Sequence, residues 1–211
     1  MNRAKQSGQT NSFLEVPCII GIDQSYTRTG LAICVNGKLK KIYSIDFKVK
    51  GKYVKSKTMK RKRISMFLDK AIDSCLKHYK PEEINIICER VRTFTGSDSM
   101  RPSVIKAQAA LVASIVDTAY MKGIRTYSVD TRAWKSRVLG TSRPIFEPIE
   151  GVSNPQKFGS VRKIIDLGFG EELKIHSDKT RSYSYNDDMA DAACIALYGF
   201  SGIPYSLLLE E

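Results

Sequence analysis

Short apolar runs alternate with turn-forming residues in the first fifty positions of the chain. Cys18–Ile22 and Gly30–Val35 are apolar almost throughout, which predicts two buried strands. Asn36-Gly37 follows the second run and favours a two-residue hairpin, because both central turn residues need a positive φ. Lys40–Val49 alternates loosely between apolar and polar residues and predicts a third strand. We therefore expect three antiparallel strands at the start of the fold.

Helical spacing and apolar runs alternate along the rest of the chain. Met59–Tyr79 repeats apolar residues at helical spacing, and Ile84–Cys88 is apolar almost throughout, as expected of a central parallel strand. The other predicted elements are helices at Ser103–Met121, Thr131–Leu139, Asn154–Asp166 and Asn186–Tyr198 and a strand at Thr126–Val129. We expect irregular chain at Gly140–Ser153 and a loose polar segment at Lys174–Tyr185. This order predicts one α/β domain over residues 16–211, with a five-stranded mixed sheet flanked by helices, after a disordered arm at residues 1–15.

Composition narrows the class of protein. Hydrophobic residues make up 42% of the chain and charged residues 27%, which is typical of a soluble globular protein. No apolar run approaches the roughly 20 residues that span a bilayer, and the first fifteen residues contain no apolar signal-peptide segment. The five cysteines form no C-x-x-C pair, which argues for reduced, buried thiols in a cytoplasmic protein and against a structural zinc site.

Positive charge is concentrated in one segment. The formal net charge is +12, and Lys48–Arg63 holds nine basic residues and no acidic one. A polyanionic partner such as DNA explains this asymmetry. The alternatives are a solvated basic face or a localisation signal. An anionic membrane surface is less consistent with the sequence, because no strongly amphipathic anchor accompanies the run.

Two acids directly follow or end apolar strands. Asp23 follows Ile19-Ile20-Gly21-Ile22, and Glu89 takes the same position after Ile84–Cys88. A charge at the edge of a buried strand costs free energy unless it is paired or bound to a metal. If the two strands are neighbours, their carboxylates meet at one end of the sheet. Either acid alone is equally well explained by pairing with a nearby base, such as Arg90 or Arg92 for Glu89.

A third group of acids opens the last predicted helix. Asp188 and Asp191 are three residues apart and share a helix face, while Asp187 and Asp191 are four apart and could also share one. Acids in a first helical turn favour the positive helix end, and Asn186 can cap it. That explanation covers Asp187 or Asp188. It does not explain Asp191, which precedes the apolar run Ala192–Ala196. A carboxylate at the edge of a buried run needs a cation beside it.

Converging carboxylates repel one another strongly without a counter-charge. Divalent cations with oxygen ligands solve this problem, and Mg²⁺ is the usual choice where phosphate also binds. Two ions about 3.5–4 Å apart can activate water on one side of a phosphodiester and stabilise the leaving oxygen on the other. Asp23 would be the bridging ligand. Neither His78 nor His176 lies in a recognisable motif, although His176 could support the site.

Four short motifs together resemble those of RuvC-type Holliday junction resolvases, in the divergent form found in phages and some bacteria. They are Gly21-Ile22-Asp23-Gln24-Ser25 with Thr29-Gly30-Leu31-Ala32, Ile87-Cys88-Glu89, Ala107-Gln108-Ala109 and Asp188-Met189-Ala190-Asp191-Ala192. Their order and spacing agree with the family over about residues 19–198. The resemblance implies an RNase H-like fold, a homodimer and Mg²⁺ or Mn²⁺. It also implies symmetric nicks in opposing strands of a four-way junction, leaving 5′-phosphate and 3′-hydroxyl ends.

The family pattern assigns the metal-binding and catalytic roles to Asp23, Glu89, Asp188 and Asp191, and its D-x-x-D spacing selects Asp188 over Asp187. The family often has a junction-probing aromatic residue where this chain has Arg92, so Phe94 either stacks on DNA from a shifted loop or belongs to the core. Lys135 is a candidate contact to the scissile phosphate, unless Trp134 packs in the core and leaves Lys135 solvated. The complete set of candidate DNA-binding residues is Lys57, Lys60, Arg61, Lys62, Arg63, Arg92, Phe94 and Lys135.

Two other functions compete with a junction-cutting nuclease. An actin-like or sugar-kinase-type ATPase also has a first phosphate loop similar to Gly21-Ile22-Asp23 followed by Thr-Gly, but the second glycine-rich loop and the adenosine motif of that class are missing. A non-catalytic basic DNA-binding protein would use the acids only structurally. The nuclease hypothesis predicts branched DNA as partner, no membrane association, and a cytoplasmic location in a bacterium or a phage-infected host.

Overall fold

The computed structural model describes residues 16–49, 52–53, 56–91, 102–143, 147–176, 183–201 and 206–207. The predicted arm at residues 1–15 lies outside these ranges. β1 (Cys18–Asp23), β2 (Arg28–Val35) and β3 (Lys38–Asp46) form an antiparallel meander, as predicted. Asn36 and Gly37 have φ values of 49° and 73°, which confirms the two-residue hairpin.

The remaining elements follow in alternation. Two short strands, β4 (Lys48–Val49) and β5 (Lys52–Tyr53), pair with each other before α1 (Lys57–Leu76). Then come β6 (Ile84–Glu89), α2 (Pro102–Tyr120), β7 (Arg125–Val129), α3 (Thr131–Leu139), α4 (Phe158–Ile164), α5 (Gly170–Leu173), β8 (Lys174–His176), β9 (Tyr183–Tyr185), α6 (Asp187–Tyr198) and β10 (Ser206–Leu207). The main sheet has the order β10-β7-β6-β1-β2-β3, so the five predicted strands form a mixed sheet with a two-residue strand added at one edge.

Helices cover both faces of this sheet. On one face, α1 and α2 pack over alternate residues of β1 and β6, including Ile20, Ile22 and Ile86. On the other face, α3, α4 and α6 pack over the opposite residues, with Trp134 buried among them. The strands at the centre are mostly apolar because they are buried on both sides. No helix in the described ranges is both long and apolar enough to cross a membrane.

Two predictions from the second half of the chain need correction. Lys174–Tyr185 is not wholly loose, because β8 and β9 pair as an antiparallel ladder with His176 opposite Tyr183. The predicted helix at Asn154–Asp166 is interrupted: a 3-10 turn at Pro155–Lys157 precedes α4, and a π-helical segment at Ile165–Phe169 follows it. All five cysteines are buried free thiols, as expected.

Candidate active site

The ends of β1 and β6 bring two acids together. The strands pair in parallel up to Ile22 opposite Cys88, so Asp23 and Glu89 leave the same end of the sheet on adjacent strands. The expectation that these two strands are neighbours is therefore confirmed. Asp23 is only 7% exposed, and Glu89 is half-buried. Neither position is that of an ordinary solvated surface acid.

Helix α6 brings Asp188 and Asp191 to the same end of the sheet. The helix packs across β1 and β2 at close range, which two glycines make possible. A Cβ at Gly21 would collide with the carbonyl oxygen of Ala192, and one at Gly30 with that of Asp188. Asn186 caps α6 by accepting a hydrogen bond from the Met189 N–H at 3.1 Å. The small residues of β1 and β2 thus set the distance between the helical acids and Asp23.

The four acids are close enough to affect one another's ionisation. Burial, together with the charges of Asp191, Glu89 and Asp188, raises the pKa of Asp23 well above its usual range, and the Lys157 charge only partly opposes this. Burial, reinforced by Asp187 and opposed by Lys157 and Arg28, raises the pKa of Asp188 to about 6. Asp23 is therefore the acid whose pKa all three of the other carboxylates raise.

Lys157 supplies a positive charge inside this cluster. Its Nζ forms an ion pair with Oδ2 of Asp191 and lies 3.7 Å from Oδ2 of Asp23. Burial disfavours the Lys157 ammonium, but the charges of Asp191 and Asp23 outweigh this effect and raise its pKa. Its side chain is 20% exposed, so it reaches the site from the solvent side. A cation is thus already present among the acids.

The donor set suits a hard divalent cation. Oδ1 of Asp191 is buried and has no hydrogen-bond partner within the described part of the chain, so it is available to a further cation. All four acids offer carboxylate oxygens, which Mg²⁺ prefers. Among the residues described, no three histidine, cysteine or acidic side chains are already grouped to hold an ion. Metal binding would therefore require side-chain movements, and a metal would meet the Lys157 ammonium between Asp23 and Asp191.

A cleft of ≈ 230 Å³ opens beside the acids. Its lining includes Glu89, Gln108, Thr131, Lys135, Lys157 and Asp191. Trp134 is buried in the core, as one alternative expected, but Lys135 is not solvated: it is 8% exposed, and its Nζ donates to the Gln156 carbonyl at 3.4 Å. The cleft thus combines acids with at least two lysines.

The basic residues predicted to contact DNA differ in their surroundings. Lys57 and Lys62 are exposed on α1, whereas Arg61 and Arg63 are half-buried, and Arg61 Nε donates to Ser114 Oγ of α2 at 2.8 Å. Lys60 is 9% exposed and donates to the Tyr26 carbonyl at 2.5 Å. Its ammonium therefore contacts the turn between β1 and β2, and its role as a phosphate contact stays a prediction. Arg92 and Phe94 lie outside the described residues, as does the His176 side chain.

Sequence reasoning gave no role to three residues at this site. Lys157 follows a predicted helix start, and nothing in the local pattern indicates that it points at Asp23. Thr131 donates its hydroxyl to Oε1 of Glu89, and the Gln24 side chain bonds to the Glu89 main chain. Gln24 belongs to the first sequence motif, but the motif does not indicate that its side chain contacts β6.

A mixed sheet in this order, covered by helices on both faces, is the RNase H-like class of fold. Thermus thermophilus RuvC has a similar structure, with a TM-score of 0.59 and 15% identity over 90% of this chain and 99% of that one. The T. thermophilus RuvC complex with a Holliday junction substrate gives a TM-score of 0.57 at 15% identity, with the same coverage of both chains. The yeast mitochondrial Holliday junction resolvase Ydc2 gives a TM-score of 0.50 and 13% identity over 87% of this chain and 78% of that one.

The chain therefore has the fold of RuvC-type Holliday junction resolvases, as the sequence motifs predicted. No protein-family model and no curated protein sequence matches it. The similarity to these structures is one of fold alone, so the candidate functional residues are assigned from the geometry of this chain.

Proposed function

We propose that this protein is a Mg²⁺-dependent DNA endonuclease that resolves four-way or other branched junctions. The observation that carries the proposal is the convergence of Asp23, Glu89, Asp188 and Asp191 at one end of the sheet, described above. Structural acids would not be expected to gather where burial and neighbouring carboxylates raise the pKa of Asp23 and Asp188. Active sites are the usual place for such an arrangement.

The four carboxylates would hold one or two Mg²⁺ ions, with Mn²⁺ as a substitute. Mg²⁺ supplies Lewis-acid stabilisation of phosphodiester oxygens and promotes the ionisation of water. The charges of the other three acids all act on Asp23, which suits it to share two ions. The free Oδ1 of Asp191 offers an oxygen that no residue of the described chain already satisfies.

The two lysines of the cleft would bind the scissile phosphate. Lys135 and Lys157 lie on the same cleft as Glu89 and Asp191, so a phosphate there meets positive charge next to the acids. Lys157 holds its proton firmly because its pKa is raised, so it acts as a fixed positive charge rather than as a general base. Both lysines would orient the phosphodiester and offset the charge that develops on it during attack.

Exposed basic residues would bind the arms of the DNA. Lys57 and Lys62 are exposed on α1, and they belong to the basic run that precedes and opens this helix. Phosphate contacts of this kind position the DNA without selecting its sequence. The complex of T. thermophilus RuvC with a Holliday junction substrate supports a branched DNA substrate for this fold. A homodimer in the cytoplasm that makes paired symmetric nicks, leaving 5′-phosphate and 3′-hydroxyl ends, completes the proposal.

Substitutions in α6 provide the test. We expect Asp188→Asn to abolish Mg²⁺-dependent cutting of a synthetic four-way junction and to leave junction binding intact. Asp187→Asn tests the neighbouring acid that the family spacing leaves out, and it should retain most of the cutting. Asp117→Asn, an exposed acid on α2, is the matched control. Unchanged cutting by Asp188→Asn would contradict the proposed site, and junction binding without cutting by the unsubstituted protein would favour a DNA-binding function.

A further inference from the structure

The side chain of Gln24 joins the ends of β1 and β6. Its Nε2 donates to the Glu89 carbonyl at 2.6 Å, and its Oε1 accepts from the Glu89 N–H at 3.2 Å. The amide of Gln24 thus pairs with both main-chain groups of Glu89, as a peptide unit of a neighbouring strand would. Gln24 is 7% exposed, so water competes little for these hydrogen bonds.

This pairing comes where the backbone ladder between the two strands stops. β1 and β6 are in register only as far as Ile22 opposite Cys88, and the next residues are the acids themselves. The relative position of Asp23 and Glu89 decides what the two carboxylates can bind together. The Gln24 amide extends the pairing of β1 with β6 by one residue, to the position of the two acids.

A second contact fixes the carboxylate of Glu89. Thr131, the first residue of α3, donates its hydroxyl to Oε1 of Glu89. Asp130 caps α3 by accepting from the Arg132 N–H at 2.8 Å, which holds the first turn in place. A free glutamate at a strand end samples several rotamers, and fixing one of them costs side-chain entropy. Glu89 is held at both its main chain and its carboxylate before any ligand arrives.

We propose that Gln24 and Thr131 are positioning residues that preset the Glu89 carboxylate relative to Asp23 for metal binding. The inference rests on the proposed function, since it deepens the account of the same site. Neither residue needs to touch the metal or the DNA. Some residues bond to a metal-binding carboxylate without touching the metal, and removing one of them typically lowers metal affinity by about 10- to 100-fold. We expect a loss of metal affinity in this range.

The first test uses Thr131, because it begins a helix at the edge of the cleft. Thr131→Val keeps the shape of the side chain and removes the hydroxyl, whereas Thr131→Ser keeps the hydroxyl. We expect Thr131→Val to weaken Mn²⁺ binding to the full-length, DNA-free protein by about tenfold, measured from the free Mn²⁺ signal in electron paramagnetic resonance. Thr131→Ser should restore most of the affinity. Thr118→Val is the control, since its hydroxyl donates to the Ser114 carbonyl within α2 at 2.7 Å, away from any acid.

Gln24→Leu tests the main-chain contact in the same titration and should also weaken Mn²⁺ binding by at least tenfold. Wild-type Mn²⁺ affinity in a folded Thr131→Val protein, or equal losses in the valine and serine variants, would overturn the inference. Asp23→Asn separates this result from the proposed function. If Asp23→Asn loses Mn²⁺ while Thr131→Val keeps it, only the positioning role fails. If the unsubstituted protein does not bind Mn²⁺ at all, both fail.

Discussion

The ion pairs of Lys157 allow a quantitative prediction about the metal-free protein. Lys157→Met removes the ammonium that lies between Asp23 and Asp191 and keeps a side chain of similar length. Asp191 would then be left nearly buried, at 6% side-chain exposure, without its partner. An uncompensated buried charge is strongly destabilising, so the substitution should lower the free energy of unfolding.

The size of the effect follows from the burial of the three groups. Removing one partner of a fully buried ion pair costs about 3–5 kcal/mol, whereas an exposed pair contributes at most about 1 kcal/mol. Lys157 retains 20% side-chain exposure, and Asp23 can take up a proton because its pKa is already raised. Both features reduce the cost, and we expect a loss of about 2–3 kcal/mol in the free energy of unfolding at neutral pH.

Urea unfolding in EDTA measures this loss, and the chain offers a matched control. The Lys174 side chain has the same 20% exposure, but its partner Glu171 is 81% exposed. Lys174→Met should therefore cost less than about 1 kcal/mol. Added Mg²⁺ should stabilise Lys157→Met more than the unsubstituted protein, because the ion no longer competes with the ammonium. At a hundredfold excess over its dissociation constant, the ion adds about 2.7 kcal/mol.

Equal effects of Lys157→Met and Lys174→Met would contradict this reasoning. They would mean that Asp191 does not depend on the lysine, and that the cluster is more hydrated than its burial indicates. A Mg²⁺ stabilisation that is the same in both proteins would show that lysine and metal do not share a position.

Three further predictions concern pH, packing and DNA. Raised pKa values for Asp23 and Asp188 mean that folding favours their protonated forms, so their stabilising effect is present at low pH and is lost as pH rises through the folded-state values. In EDTA, the melting temperature should therefore rise as pH falls from 7.5 to 5.5, and Asp188→Asn should flatten this profile. Gly30→Ala places a Cβ against the Asp188 backbone, so it should cost about 1–3 kcal/mol in urea unfolding and should reduce cutting by displacing α6. Lys62→Ala should reduce the slope of log K for junction binding against log salt by about one, because one phosphate contact is lost. Lys60→Ala should leave that slope unchanged and should destabilise the protein instead.

Local patterns predicted the sheet because each strand is defined by its own residues. The β1 and β6 runs are apolar as they are buried on both faces, and Asn36-Gly37 carries the positive φ values of a hairpin. The acids could be chosen for the same reason, since a charge that follows a buried strand is unusual. Their meeting depends on strand order, which the family motifs implied and the sheet confirms.

Contacts between distant segments could not be predicted from local patterns. Lys157 reaches Asp191 across 34 positions and Gln24 reaches Glu89 across 65, and neither spacing leaves a periodic trace. A basic run predicts charge but not direction: on α1, Lys60 turns inward to the Tyr26 carbonyl while Lys62 is exposed. The β8–β9 ladder was missed because each strand has only three residues, which is too short to show a periodic pattern.

A cleavage assay on a synthetic four-way junction, beside linear duplex of the same sequence, tests the central claim most directly. Each substrate would be incubated with Mg²⁺ and with EDTA, and the ends would be mapped on all strands. We expect paired symmetric nicks with 5′-phosphate ends in the junction but not in the linear duplex, and only when Mg²⁺ is present. Cutting that persists in EDTA, or tight junction binding with no cutting in Mg²⁺, would contradict it.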